Sequence, residues 1–98
     1  MDVQQLHLLA DIQALAIAGG DQTGMNIWHY VRAGQGHYVC SEVHVLHPQT
    51  LETLHRTTAM INSQGWDRPT GIDDNERTLI QQRDELVEWI ANNRRDAA

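Results

Sequence analysis

The sequence predicts a small α+β domain in the order α-β-β-α-α, an antiparallel β-hairpin packed against helices. Three observations point to it. Apolar residues recur at three- and four-residue spacings towards both ends of the chain. Two β-prone runs, 26–32 and 37–46, flank Ala33-Gly34-Gln35-Gly36. The composition, 41% hydrophobic and 20% charged over 98 residues, suits one globular core and leaves no room for a second, so residues 1–98 are read as a single domain.

The first helix is expected over 2–18. Leu8, Leu9, Ile12, Leu15 and Ala16 make its inner stripe, and Asp2 is suited to its N-cap. Leu6 and Ile17 widen the stripe, which implies contact on more than one side. Gly19-Gly20 is expected to end the helix, because glycine accepts the left-handed cap. These glycines follow a helix and do not join a strand to a helix N-terminus, so they lack the arrangement that cradles phosphate.

The hairpin is predicted from its faces. A three-residue loop, Gly34-Gln35-Gly36, fits a type I turn with a G1 bulge, Gly36 taking the left-handed position. That loop sets Ala33 against His37, Val31 against Val39, His29 against Ser41 and Ile27 against Val43, with Val45 continuing an apolar side. The other side carries Arg32 with Tyr38, Tyr30 with Cys40, and Trp28 with Glu42, and His44 lies beyond. The chain has 3 Trp, 2 Tyr and no Phe, and three of these five aromatics fall on that second face.

A second helix is expected from His47-Pro48, with proline in its first turn and Leu51, Leu54, Thr58 and Ile61 facing inward, ending near Gln64 and Gly65. The loop 66–72 follows, with Trp66 expected to fold back on the core. Asp73 and Glu76 resemble a capping box for a third helix, whose stripe is Leu79, Ile80, Leu86, Val87 and Ile90, interrupted by Arg83. With Asp84, Glu85, Glu88, Asp73, Asp74 and Glu76, this element would carry six of the 13 acids, a solvated acidic face or a mimic of phosphate for a basic groove.

The formal net charge of −6 argues against direct binding to nucleic acid or to an anionic membrane and permits a basic protein partner. Every basic residue is Arg. The single cysteine, Cys40, excludes an internal disulfide framework and suits a reducing, cytoplasmic setting. The first residues lack the basic region of a signal peptide, and no apolar run approaches the ~20 residues of a membrane span.

His37, Cys40, His44 and His47, with His29 and His55 nearby, are the residue types that hold zinc. Strand geometry works against a shared ion: Cys40 and His44 point to one face, His37 and His47 to the other, and four strand residues separate Cys40 from His44 by roughly 13 Å. Cys40–Glu42 or Glu42–His44 could each supply half a site, which would need ligands from another element or a second chain. The same distance denies Cys40 a neighbouring base, and His29 lies on the opposite face, where it is expected to be a hydrogen-bonded, half-buried residue. No metal, cofactor or catalytic residue is therefore assigned.

The concentration of aromatics leads to the functional expectation: a non-enzymatic protein-binding module, a regulator or inhibitor in the manner of phage and mobile-element accessory proteins. It would act through Trp28, Tyr30, Arg32, Tyr38, Glu42 and His44, with a homodimer as a further possibility. Two alternatives follow from the same residues. One is a small-ligand or nucleotide binder that stacks on Trp28, Tyr30 and Tyr38, with Arg32 as the anion contact. The other is a zinc protein built on the His/Cys cluster.

Overall fold

The computed structural model describes residues 1–33, 38–62, 67, 69–71 and 73–95. The elements run α1 (Val3–Thr23), β1 (Asn26–Ala33), β2 (Tyr38–Leu46), β3 (Thr53–Asn62) and α2 (Leu79–Asn92). The three strands form one antiparallel sheet in the order β1-β2-β3. The α+β class stands, and the order is α-β-β-β-α: the second expected helix is a strand.

The sequence explains that replacement. His55, Thr57, Ala59 and Ile61 alternate along one face of β3, and the β-branched threonines favour a pleated backbone. The three-four spacing of Leu51, Leu54, Thr58 and Ile61 is coincidental. Residues 47–52 form a turn and not a first helical turn. There His47 Nδ1 accepts from the Gln49 and Thr50 N–H groups at 3.2 Å, and Leu51 takes a left-handed φ of 60°.

The helix ends also differ. Asp2 caps α1 as expected, in a reciprocal box with Gln5. The helix runs on through Gly19-Gly20 and stops at Gly24, whose φ of 75° is the left-handed cap. Gly19 is there because the two helices meet at it: a Cβ on Gly19 would lie 2.5 Å from Ile90 Cδ1 and 2.8 Å from Ile27 Cδ1. Helix α2 begins five residues later than expected. Thr78 and Gln81 form its capping box, and the Leu79 N–H donates to Asp67 Oδ2 at 2.9 Å. Burial pushes the Asp67 carboxyl up, partly offset by that N–H.

Asp73 and Glu76 instead organise the approach to α2. The Asp73 carboxylate accepts from Asn75 N at 2.9 Å, and the Glu76 carboxylate accepts from the Thr70 hydroxyl and N–H, which hold its pKa low. Residues 75–77 then line the free edge of β3: Thr58 N donates to Asn75 O at 2.9 Å and Arg77 N to Thr58 O at 2.7 Å. Among the six acids assigned to one helix, only Asp84, Glu85 and Glu88 lie on α2, and Glu85 pairs with Arg77.

Both helices cover one side of the sheet. Leu8, Leu9 and Ile12 of α1 and Leu79, Leu86 and Ile90 of α2 enclose Val43, Ala59 and Ile61. The buried stripe of α2 includes Gln82, whereas Ile80 and Val87, expected to be core, are exposed. Val45 is buried as expected and Ile27 and Val39 partly so, but Val31 is 49% exposed and stands outside the core cluster.

The hairpin register is shifted. Val31 faces Ser41, His29 faces Val43, Ile27 faces Val45 and Ala33 faces Val39. Relative to the expected pairing, β2 slides by two residues, which preserves both faces and changes every partner. The loop Gly34-Gln35-Gly36, His37, Gln64, Gly65 and Trp66 lie outside the described residues.

Candidate functional site

The side of the sheet away from the helices gathers the residues singled out from sequence. Alternation sets Trp28, Tyr30 and Arg32 of β1 beside Tyr38, Cys40, Glu42 and His44 of β2 and Arg56, Thr58 and Met60 of β3. In the observed register Trp28 faces His44, Tyr30 faces Glu42 and Arg32 faces Cys40. Trp28 is 43% exposed, Tyr30 44%, Tyr38 47% and Met60 40%. The rings of Trp28 and Tyr30 meet edge-to-face at 6.0 Å, and Tyr30 meets His44 the same way at 5.9 Å. These contacts make a braced strip of rings. Tyr38 stands apart from it.

Glu42 is the electrostatic centre of this face. Its carboxylate lies 3.6 Å from Arg32, 3.8 Å from Arg56 and 3.5 Å from His44, and Arg56 also reaches Asp73 at 3.9 Å. These separations exceed good hydrogen-bond lengths, so the cluster acts through charge balance and not through bidentate geometry. Arg56 and Asp73 were not anticipated as site residues. Only the true strand identity of 53–62 places Arg56 beside Glu42. Arg32, Tyr38, Cys40, Glu42, Arg56 and Asp73 line an open groove of about 580 Å³. Cys40 Sγ lies 3.5 Å from Thr58 Oγ1, within that groove.

The opposite face holds a polar cluster that reaches every element. His29 Nδ1 lies 2.8 Å from Gln13 Oε1 on α1, and His29 Nε2 lies 2.8 Å from Ser41 Oγ on β2. Ser41 Oγ donates to Gln82 Oε1 of α2 at 2.8 Å, and Gln82 Nε2 donates to Ser41 O at 3.0 Å and to Thr57 O of β3 at 3.2 Å. The order Ser-His-Gln imitates a nucleophile, its base and an orienting group. Ser41 is nonetheless 0% exposed and its proton is committed to Gln82, so the arrangement works as a structural tie. Burial lowers the pKa of His29, favouring the neutral ring. With the Ser41 proton committed, Nε2–H must be the donor to Ser41, and the exposed Gln13 amide can turn to suit Nδ1.

Among the described residues, no three His, Cys, Asp or Glu side chains are grouped so as to hold a metal ion. His44 is engaged with Glu42 and Tyr30, His47 caps its own turn, and His55 lies on the helix side by alternation. Nor is any described helix long and apolar enough to cross a membrane. Compared with protein-family models, curated proteins and solved structures, the chain matches none.

Proposed function

We propose that the protein is a non-enzymatic protein-binding module whose partner seats on the outer sheet face. One observation carries this reading: Trp28, Tyr30, Tyr38 and Met60 stay 40% or more exposed on a face that neither helix covers. Exposed aromatics on one uncovered face, interspersed with paired charges, supply the anchors and the polar contacts that interfaces use. The edge-to-face bracing of Trp28, Tyr30 and His44 favours a broad contact over a ring sandwiched between two others, and so favours a protein over a nucleotide. A small acidic binder of this kind suits a regulator or inhibitor that occludes a site on a larger protein.

The test pairs stability with capture. Tyr38→Ala and Met60→Ala should leave the melting midpoint within a few degrees of wild type, whereas Val43→Ala, 1% exposed, should lower it clearly. As immobilised bait in extract of the source cells, wild type should retain a protein that Tyr38→Ala loses. Equal retention by wild type and both outer-face variants would refute the reading, as would a Tyr38→Ala midpoint as low as that of Val43→Ala.

A further inference from the structure

The β1 margin of the sheet presents a second unfilled surface, which borders the outer face at Trp28, Tyr30 and Arg32 and consists of the strand edge and α1. Strand β1 stands at the sheet edge, and its only ladder partner among the described residues is β2. The free edge of β3 is partly occupied by residues 75–77, whereas β1 is eight residues long and carries one charge, Arg32, with no proline. Long, uncharged, unbulged edges are templates for another strand.

Helix α1 adds side chains to that edge. Val3, Leu6, Ala10, Gln13 and Ile17 repeat at alternating three- and four-residue spacings, the seam of a helix that packs on another helix. None of the five is charged. Val3 is 66% exposed, Leu6 53% and Ile17 69%. The stripe flanks β1, because its member Gln13 contacts His29. Beside it lies Val31, 49% exposed on what is elsewhere the core face.

We infer that this margin binds a second copy of the chain about a two-fold axis, β1 pairing antiparallel with β1 to give a continuous six-stranded sheet, and the two α1 stripes meeting above the seam. A two-fold pairing centred on Tyr30 brings only like faces together. Ile27 meets Ala33 of the second copy, and His29 meets its Val31. On the outer face Trp28 meets Arg32 of the second copy, a cation–π pair. The overhang is complementary too. Helix α1 touches β1 at Ile27, through Gly19, and at His29, through Gln13, whereas Val31 stays 49% exposed. The pairing therefore carries the covered end of one copy to the open end of the other. An isolated peptide strand would satisfy the edge and leave the α1 stripe in water, which is why a second copy fits better. An interface of about 800 Å² per partner is typical of stable dimers, roughly an eighth of the 6216 Å² surface of this chain. Two copies of a chain with net charge −6 need an uncharged seam to meet.

Light scattering with sedimentation, from about 1 to about 100 µM, is the experiment. The expected mass is twice 11.1 kDa. Ile17→Glu, at an exposed position, should keep its circular dichroism and weaken association at least about ten-fold. In a Cys40→Ser background, Tyr30→Cys should cross-link under mild oxidation, because directly opposed residues lie within disulfide reach. Val31→Cys, off the axis, should not. A monomer throughout that range would overturn the inference, as would a dimer indifferent to Ile17→Glu or a Tyr30→Cys protein that cross-links no better than Val31→Cys. Because Tyr38 and Met60 lie on β2 and β3, away from the edge, loss of the partner and loss of the dimer are separately readable.

Discussion

Ser41 and Gln82, 41 residues apart and both fully buried, exchange two hydrogen bonds: Ser41 Oγ donates to Gln82 Oε1 at 2.8 Å, and Gln82 Nε2 donates back to Ser41 O at 3.0 Å. A third bond, from Gln82 Nε2 to Thr57 O, fastens the same amide to β3. Every polar atom of the Gln82 side chain is thereby engaged, so a polar residue sits at no net penalty in an apolar stripe.

Replacing Gln82 with Leu keeps the volume but takes the acceptor from the Ser41 O–H, leaving His29 Nε2 as the partner of that hydroxyl, and removes the amide contacts to the Ser41 and Thr57 carbonyls. The expected loss is about 2–4 kcal/mol. Ser41→Ala with Gln82→Leu should recover part of it, since the buried O–H donor that lost its acceptor is removed as well. Urea denaturation of the single and double variants measures both quantities, and a Gln82→Leu protein as stable as wild type would contradict the account.

Gly19→Ala should destabilise the fold by about 1 kcal/mol even though alanine is the better helix former, because the added methyl collides with Ile90 and Ile27. Ile90→Val removes Cδ1, the nearest of the three atoms the methyl would strike, and leaves Ile90 Cγ1 and Ile27 Cδ1, each at 2.8 Å. The Gly19→Ala, Ile90→Val double variant should therefore be more stable than the sum of the two single changes predicts, a coupling that thermal melts can resolve.

His29 makes stability depend on pH. Its folded pKa lies below the ordinary 6.5 because burial penalises the charged ring. Between those two values the unfolded chain takes up a proton that the folded chain refuses, so stability is full above pH 6.5 and falls as the medium is acidified below it. Melts of wild type and His29→Gln from neutral pH down to about pH 5 should converge on this point: the wild-type midpoint drops more steeply, and parallel profiles would remove His29 as the cause.

Much of the architecture was legible because burial leaves a periodic trace. The stripe Leu8, Leu9, Ile12 and Ala16 identified α1, and the alternation of Ile27, Val43 and Val45 against Trp28, Tyr30 and Glu42 identified both faces of the hairpin. Alternation reports parity and nothing finer. A slide of two residues along β2 leaves both faces intact, so face pattern alone does not choose between Val31 opposite Val39 and the observed Val31 opposite Ser41. The choice depends on the turn and on long-range bonds such as that of Ser41 with Gln82. Strand β3 was misread because Leu51, Leu54, Thr58 and Ile61 imitate a helical repeat, while its true signal, the alternation of His55, Thr57, Ala59 and Ile61, is weaker in hydrophobicity. Gly19 was misread because a glycine that ends a helix and one that admits a neighbouring helix look alike in sequence. Of the outer-face residues, all six expected from sequence share one side of the sheet. Arg56 and Asp73 joined them only once residues 53–62 were a strand.

The tie that begins at Gln13 and ends at Thr57 also sets an order of events in folding. Its donors and acceptors come from α1, β1, β2, β3 and α2, and the amide that completes it belongs to the last of these five elements in chain order. As the chain leaves the ribosome, the first helix and the three strands can collapse, but the hydroxyl of Ser41 and the carbonyls of Ser41 and Thr57 still face water. Docking of α2 is then the step that closes the interior. The slowest-exchanging amides of the sheet should therefore gain protection together, with the docking of α2, and not strand by strand.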